Sequence, residues 1–325
     1  ADGNVTRQGQ DYYLKPMNCP FHNLIFRARG RSYRELPLRL AEFGTVYRYE
    51  LSGTLAGLLR VRGFTQNDAH IYCTEAQVEE EFLKVMRLHE FWYRDIFGIK
   101  DFYMRLSLPA KDKTKYADMP AGWKKAVVMI REVMKKSGLP FVETEGEAAF
   151  YGPKVDFQIK SAIGREETAS TNQLDFLAAE RFNLRYIDTD GKEKPLYVIH
   201  RAPLGSHERF IAFLIEHYTG AFPTWLAPVQ ARILPIADRH LPYANGVRMA
   251  LAAKGVRVEV DESKETVGKK IRNAEVQKIP YMLIVGDREQ EANAVGVRRY
   301  GKGDLGATPR DAFVAAISDE IAQKK

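Results

Sequence analysis

Val46-Tyr47-Arg48-Tyr49-Glu50, followed after a polar loop by Leu59-Arg60-Val61-Arg62-Gly63-Phe64-Thr65-Gln66-Asn67-Asp68-Ala69-His70, organises the first two thirds of this chain. Residues 40–74 around it are predicted to form antiparallel strands joined by a long polar loop. In such a hairpin side chains alternate with period two. Arg48 and Glu50 are therefore expected on one face, and Arg60, Arg62 and Phe64 on one face of the returning segment. A guanidinium offers a planar fork of donors that suits phosphate oxygens, and a phenylalanine beside it can support a flat base. The run reads as a nucleotide cradle without a glycine-rich phosphate loop. The competing reading is a solvated β-face with salt bridges.

Farther along the chain, residues 76–96 carry Val78, Phe82, Val85, Leu88 and Phe91 at helical spacing. A second helix is predicted over 123–136 and a third over 206–217. Strands are predicted over 148–160, 171–176 and 196–200. The result is an α+β domain built on an antiparallel sheet. Phe222-Pro223-Thr224-Trp225-Leu226-Ala227-Pro228-Val229 reads as a linker, because each proline disfavours helix in the residue before it. Domains are therefore expected at 1–224 and 225–325. Beyond the linker, strands over 232–237, 256–260, 281–285 and 294–300 alternate with helices over 241–254, 267–277 and 309–324. That alternation predicts a smaller α/β domain with a mostly parallel sheet.

Composition excludes several classes. With 325 residues, 45% hydrophobic and 28% charged, the chain is a globular protein of about two domains rather than a disordered one. Its two cysteines, Cys19 and Cys73, cannot form a disulfide scaffold, which points to a reducing compartment and a cytoplasmic location. No apolar run is long enough for a membrane helix. The opening Ala1-Asp2-Gly3-Asn4 lacks the features of a signal peptide and, without a Met, is expected to lie inside a larger protein. A net charge of +7 is compatible with a polyanionic partner.

Two further features could carry chemistry. Tyr197-Val198-Ile199-His200-Arg201-Ala202-Pro203-Leu204-Gly205-Ser206-His207-Glu208-Arg209-Phe210 reads as strand, turn and helix start. A helix N-terminus favours anions, so Arg209 is poorly placed for helix stability, which hints at function. Cys19, His70 and His200 bring together residue types that ligate metals, but their spacing alone says nothing about a metal site.

Together these stretches resemble the class II aminoacyl-tRNA synthetases, and within them the threonyl-tRNA synthetase family. The resemblance is carried by Lys15-Pro16-Met17-Asn18-Cys19-Pro20, the run Arg60 to His70, Phe150-Tyr151-Gly152-Pro153-Lys154, Gln173-Leu174-Asp175-Phe176, Ile199-His200-Arg201-Ala202 and Pro280-Tyr281-Met282-Leu283. It implies activation of threonine with ATP, carried with Mg²⁺, and transfer to the 3′ end of tRNA(Thr). By that resemblance Arg48 holds the α-phosphate, Glu50 reads adenine, Arg60 binds the γ-phosphate, and Phe64 and Arg209 sandwich the base. Cys19, His70 and His200 bind one zinc that takes the amino and hydroxyl groups of threonine. Asp68 and Tyr151 complete the amino-acid pocket, with Met17, Gln66 and Gln173 beside it, and Lys154 approaches the tRNA end or the adenylate. Arg272, Glu289 and Arg298 sit where the family contacts anticodon bases, and the family forms homodimers.

The sequence also departs from that pattern. The family's motif 1 and its N-terminal editing domain do not occur in it. Thr168 and Ala169 replace larger residues and are given no role. Phe21 stands where glycine is usual, His22 beside it is read as structural, and Lys264 replaces an anticodon-reading asparagine. The alternatives are a truncated non-catalytic tRNA- or RNA-binding paralogue and a sister ligase for an amino acid such as proline.

Overall fold

A computed structural model describes residues 10–160, 164 and 166–324. The chain separates into two compact units, one ending at Phe213 and one beginning at Leu214. The opening four residues used in the signal-peptide reading lie outside the described residues.

The first unit runs α1 (Cys19–Arg27), β1 (Leu38–Tyr47), β2 (Gly63–Cys73), α2 (Val78–Glu90), β3 (Phe102–Leu108), α3 (Pro120–Ser137), β4 (Phe141–Glu145) and β5 (Lys154–Lys160). It continues through β6 (Glu166–Asp175), α4 (Ala178–Arg181), β7 (Arg185–Ile187), β8 (Glu193–Pro195), β9 (Tyr197–Ala202) and the first part of α5 (His207–His217), which runs across the division between the units. Seven strands form one sheet in the order β1-β2-β9-β6-β5-β3-β4. Every pairing in it is antiparallel except β3 with β4.

Helix α2 covers part of this sheet because Val78, Phe82, Val85 and Met86 recur on one face and are all buried. Its first turn holds Glu79, Glu80 and Glu81 and its last holds Arg87, a charge order that complements the helix dipole. The single helix expected over 76–96 ends instead in a π-helical turn, Phe91–Ile96, which brings Tyr93 and Ile96 into the core. Strands β3 and β4 and helix α1 were not anticipated. β3 alternates buried Phe102, Met104 and Leu106 with more accessible neighbours, the signature of a strand with one buried face.

Strand register decides which side chains meet. His70 lies opposite His200, and His200 opposite Gln173. Directly paired residues point to the same face, so strands β2, β9 and β6 line up these three side chains from three distant parts of the sequence.

The second unit holds β10 (Ala231–Pro235), α6 (Leu241–Ala252), β11 (Val258–Val260), α7 (Val267–Val276), β12 (Tyr281–Val285), α8 (Asp287–Glu291), β13 (Ala294–Arg299), β14 (Gly303–Pro309) and α9 (Arg310–Ala322). Its sheet order is β11-β10-β12-β13-β14. The expectation of a mostly parallel sheet is corrected: β10 is parallel to both neighbours, but β12–β13 and β13–β14 are antiparallel. A parallel return needs a crossover of a dozen or more residues. α8 is too short for one, and β13 turns into β14 through Gly301, whose φ of +70° suits a tight turn. Ile233, Leu283, Val295, Val247, Leu251 and Phe313 form the core between sheet and helices.

Candidate functional site

Cys19, His70 and His200 converge. One ligand atom from each lies within 4.8 Å of the others. The sheet supplies the two imidazoles by register, and α1 supplies the thiol from its first residue. His70 is 1% exposed. In both rings one nitrogen is already engaged: His200 Nε2 with Asp175 Oδ2 at 3.0 Å, His70 Nδ1 with His22 Nδ1 at 2.7 Å. Each ring therefore keeps one nitrogen to offer. Zinc bonded at ~2.0–2.3 Å in a tetrahedron holds its donors roughly 3.5 Å apart. The donor set and its spacing fit such an ion after small side-chain shifts.

Burial dominates the electrostatics of these groups. Burial pushes the Cys19 thiol up to about 12, helped by the charges of Asp68 and Asp175, while the backbone and Arg48 oppose the rise. Burial likewise lowers the tendency of His70 to protonate, with His200, His22 and Arg201 adding to the effect. Asp68 is raised above the usual carboxylate range chiefly by burial, while Asn18 Nδ2 donates to its Oδ2 at 3.0 Å.

A cavity of about 120 Å³ opens beside these donors. Met17, Gln66, Asp68, Tyr151 and Gln173 all line it together with the three candidate ligands. The Tyr151 hydroxyl donates to Gln173 Oε1, and its ring stacks on His200 at 5.2 Å.

A second cavity of about 200 Å³ is lined by Arg48, Glu50, Arg60, Phe64 and Arg209. Arg48 and Gln66 border both cavities. The Arg48 guanidinium lies 5.1 Å from the Phe64 ring centroid, and Arg60 pairs with Glu50 at 2.9 Å. Arg209 Nε donates to the Leu59 carbonyl at 2.9 Å, across the loop that joins β1 to β2. That contact answers the misfit of a cation at a helix start, and Glu208 supplies the anion there, accepting from the Thr65 N–H.

The alternation expected for this region is corrected in part. β1 ends at Tyr47 and β2 begins at Gly63, so Arg48, Glu50, Arg60 and Arg62 lie in the loop. Arg62 does not share the cavity. Its Nε donates to the Glu50 carbonyl at 3.1 Å and its guanidinium sits 5.7 Å from the Tyr49 ring. Lys154 lines neither cavity. It lies on β5 opposite Gln173, with Nζ 3.0 Å from buried Asp156. Thr168 and Ala169 border the arginine-lined cavity.

Asp175, which contacts His200, Asn18, which donates to Asp68, and Glu42, whose Oε1 lies 3.2 Å from His22 Nε2, were missed as supports. Asp175 and Gln173 lie two apart on β6, so the strand period could have signalled a shared face. Nothing in the spacing signals Asn18 or Glu42.

In the second unit, Arg272 is exposed on α7. Glu289 Oε2 accepts from the Gly286 N–H at 2.9 Å and caps the start of α8. Arg298 on β13 contacts Asp304 at 3.4 Å, and its Nε is buried without a partner.

A seven-stranded, largely antiparallel sheet with an arginine-lined cavity beside a Cys/His/His cluster is the class II tRNA synthetase core. The model of that core domain (G, H, P, S and T) matches residues 4–218, and the model of an anticodon binding domain matches 230–320. The threonine–tRNA ligase of Geobacillus kaustophilus is 52% identical over 97% of this chain and 49% of its own length. That of Mycobacterium marinum is 52% identical over 100% and 47%. A solved structure described as the RNA binding domain of threonyl-tRNA synthetase from Cryptosporidium parvum Iowa II superposes with a TM-score of 0.87 at 37% identity, covering 94% of this chain and 76% of that one. The chain belongs to the threonyl-tRNA synthetase family. It spans about half the length of the curated relatives it matches. Among the described residues, no helix is long and apolar enough to cross a membrane.

Proposed function

We propose that the chain is the catalytic and anticodon-recognising part of a threonine–tRNA ligase, joining threonine to the α-phosphate of ATP with release of pyrophosphate and passing the threonyl group to the 3′ end of tRNA(Thr). The observation that carries this reading is that the two cavities adjoin, with Arg48 and Gln66 lining both. An α-phosphate at that junction meets Arg48, whose charge offsets the negative charge that develops as the threonine carboxylate attacks. Arg60 takes the γ-phosphate, Glu50 reads adenine, and Phe64 and Arg209 hold the base from either side. ATP arrives with Mg²⁺.

On the other side, Asp68 and Tyr151 orient the amino acid, and Met17, Gln66 and Gln173 close its pocket. Cys19, His70 and His200 would hold zinc, which when bound would supply a Lewis acid for the amino and hydroxyl groups of threonine. Valine nearly matches threonine in shape, so shape alone separates the two by only a small factor. A pocket built around the hydroxyl rejects valine far more strongly and still admits serine. Lys154 approaches the tRNA end or the adenylate once released from Asp156. Arg272, Glu289 and Arg298 contact anticodon bases, which are read as single-stranded edges and stacks. The domain boundary at 224/225, a homodimeric assembly and a cytoplasmic location belong to the same reading. Threonine-dependent ATP–pyrophosphate exchange tests it: exchange with threonine, weaker exchange with serine and none above background with valine are expected. Zinc-loaded protein that gives no threonine-dependent exchange ends the proposal.

A further inference from the structure

We propose that His22 is a positioning residue for the metal centre: with Glu42 behind it, it fixes His70 in the tautomer that turns a bare Nε2 toward the ion. This rests on the reading of Cys19, His70 and His200 as zinc ligands. α1 places Cys19 and His22 three residues apart, hence on one helix face. His22 Nε2 lies 3.2 Å from Glu42 Oε1, and its Nδ1 lies 2.7 Å from His70 Nδ1, the rings meeting edge-on at 82°. Glu42 stands on β1 opposite Asp68, and Lys15 lies 3.7 Å from its other oxygen.

The relay assigns its donors and acceptors atom by atom from these two contacts. The Glu42 carboxylate, 3.2 Å from His22 Nε2, favours the tautomer that keeps the hydrogen on that nitrogen. In that tautomer Nδ1 is bare. The short contact to His70 needs one N–H and one lone pair, so His70 Nδ1 is the donor. That leaves His70 Nε2 bare. The reverse order would put a hydrogen on Nε2 and remove the lone pair a cation needs. Asp175 does the same for His200 by accepting from its Nε2, so the two ligand rings are held through opposite nitrogens. Outer partners of this kind commonly change metal affinity by about 10–100-fold.

Equilibrium competition for zinc against a chromogenic chelator, on the full chain, tests the relay. Urea midpoints of the metal-free proteins serve as the control for folding. His22→Phe is expected to weaken zinc binding by about 10–100-fold. His22→Asn, whose Oδ1 can accept where Nδ1 does, is expected to recover most of that loss. Glu42→Gln can donate to His22 and reverse the order, so it too is expected to bind zinc several-fold more weakly. Folded His22→Phe with unchanged affinity, or His22→Asn as weak as His22→Phe, overturns the relay and leaves the zinc site standing. If His22→Phe does not fold, Glu42→Gln decides, and unchanged affinity there overturns the proposal. A wild-type chain that takes up no zinc sinks both the relay and the site reading.

Discussion

The guanidinium of Arg48 rests against the ring of Phe64, 5.1 Å from its centroid, and Arg48 borders both cavities while Phe64 borders one. The contact holds a long, flexible side chain at the place where phosphate and carboxylate would meet. We predict that Arg48→Ala lowers threonine-dependent pyrophosphate exchange by about 100-fold or more, the scale seen when a preorganised charge stabiliser is removed. Phe64→Leu is expected mainly to raise KM for ATP. Steady-state exchange kinetics check both, and an Arg48→Ala enzyme within a few-fold of wild type would remove Arg48 from the reaction.

Cys19 is a different kind of test, because it reads metal rather than rate. Its burial beside Asp68 and Asp175 keeps the thiol neutral when no cation compensates. Cys19→Ser substitutes a poorer ligand of similar size. We expect metal analysis to find zinc lost from the variant and retained in wild type, with circular dichroism unchanged. Prolonged treatment of wild type with a strong chelator should reproduce the loss of threonine activation. Full zinc content in the serine variant counts against the site.

How far these features could be read without coordinates varies with their physical origin. The β1–β2 hairpin and α2 were legible because alternation and helical spacing act within a few residues. β3 and β4 were passed over although β3 alternates cleanly, and the antiparallel end of the second sheet depends on a turn at Gly301 and a short α8 that strand patterning does not report. The convergence of Cys19, His70 and His200 came only through the family resemblance. It depends on β9 lying between β2 and β6, a long-range order that no local pattern encodes. The outer partners His22 and Glu42 were not legible as such, since a histidine three residues from a cysteine reads equally well as core and Glu42 comes near only by strand pairing, whereas Asp175 shares a strand face with Gln173.

Gly152 tests the backbone that supports Gln173. A Cβ at this position would lie 1.8 Å from the Leu174 carbonyl oxygen, a backbone atom that cannot move aside cheaply. We predict that Gly152→Ala destabilises the first unit by about 1–3 kcal/mol, the usual range for overpacking, and raises KM for threonine through displacement of Gln173. Urea unfolding that matches wild type would show that the loop yields without strain.

The second unit allows the two half-reactions to be separated. Arg298 has one weak contact, 3.4 Å from Nη1 to Asp304, which a ligand acceptor can replace. Arg298→Ala is expected to weaken tRNA charging by about 1–3 kcal/mol in kcat/KM, the scale of a lost base contact, while threonine-dependent exchange stays at the wild-type rate. Equal losses in both assays would refute the assignment of this unit to anticodon recognition.

His89 supplies a pH dependence independent of the metal centre. It is fully buried, with Nε2 2.8 Å from Asn172 Oδ1 and Nδ1 2.9 Å from Ser170 Oγ. A neutral ring satisfies both contacts by donating to Asn172 and accepting from Ser170. Burial lowers its pKa from the ordinary 6.5 to about 4, with the Asn172 contact opposing and Arg201 assisting. Between these values the unfolded chain binds the proton and the folded chain does not. The stability His89 contributes is therefore complete above pH 6.5 and is lost as pH falls toward 4, on the order of 3 kcal/mol across the window. Urea unfolding at about pH 7.5, 5.5 and 4.5 should show wild type losing more stability on acidification than His89→Gln, whatever the variant's offset at neutral pH, because glutamine cannot take up the proton. Parallel pH profiles for the two proteins would mean that His89 is not the group responsible.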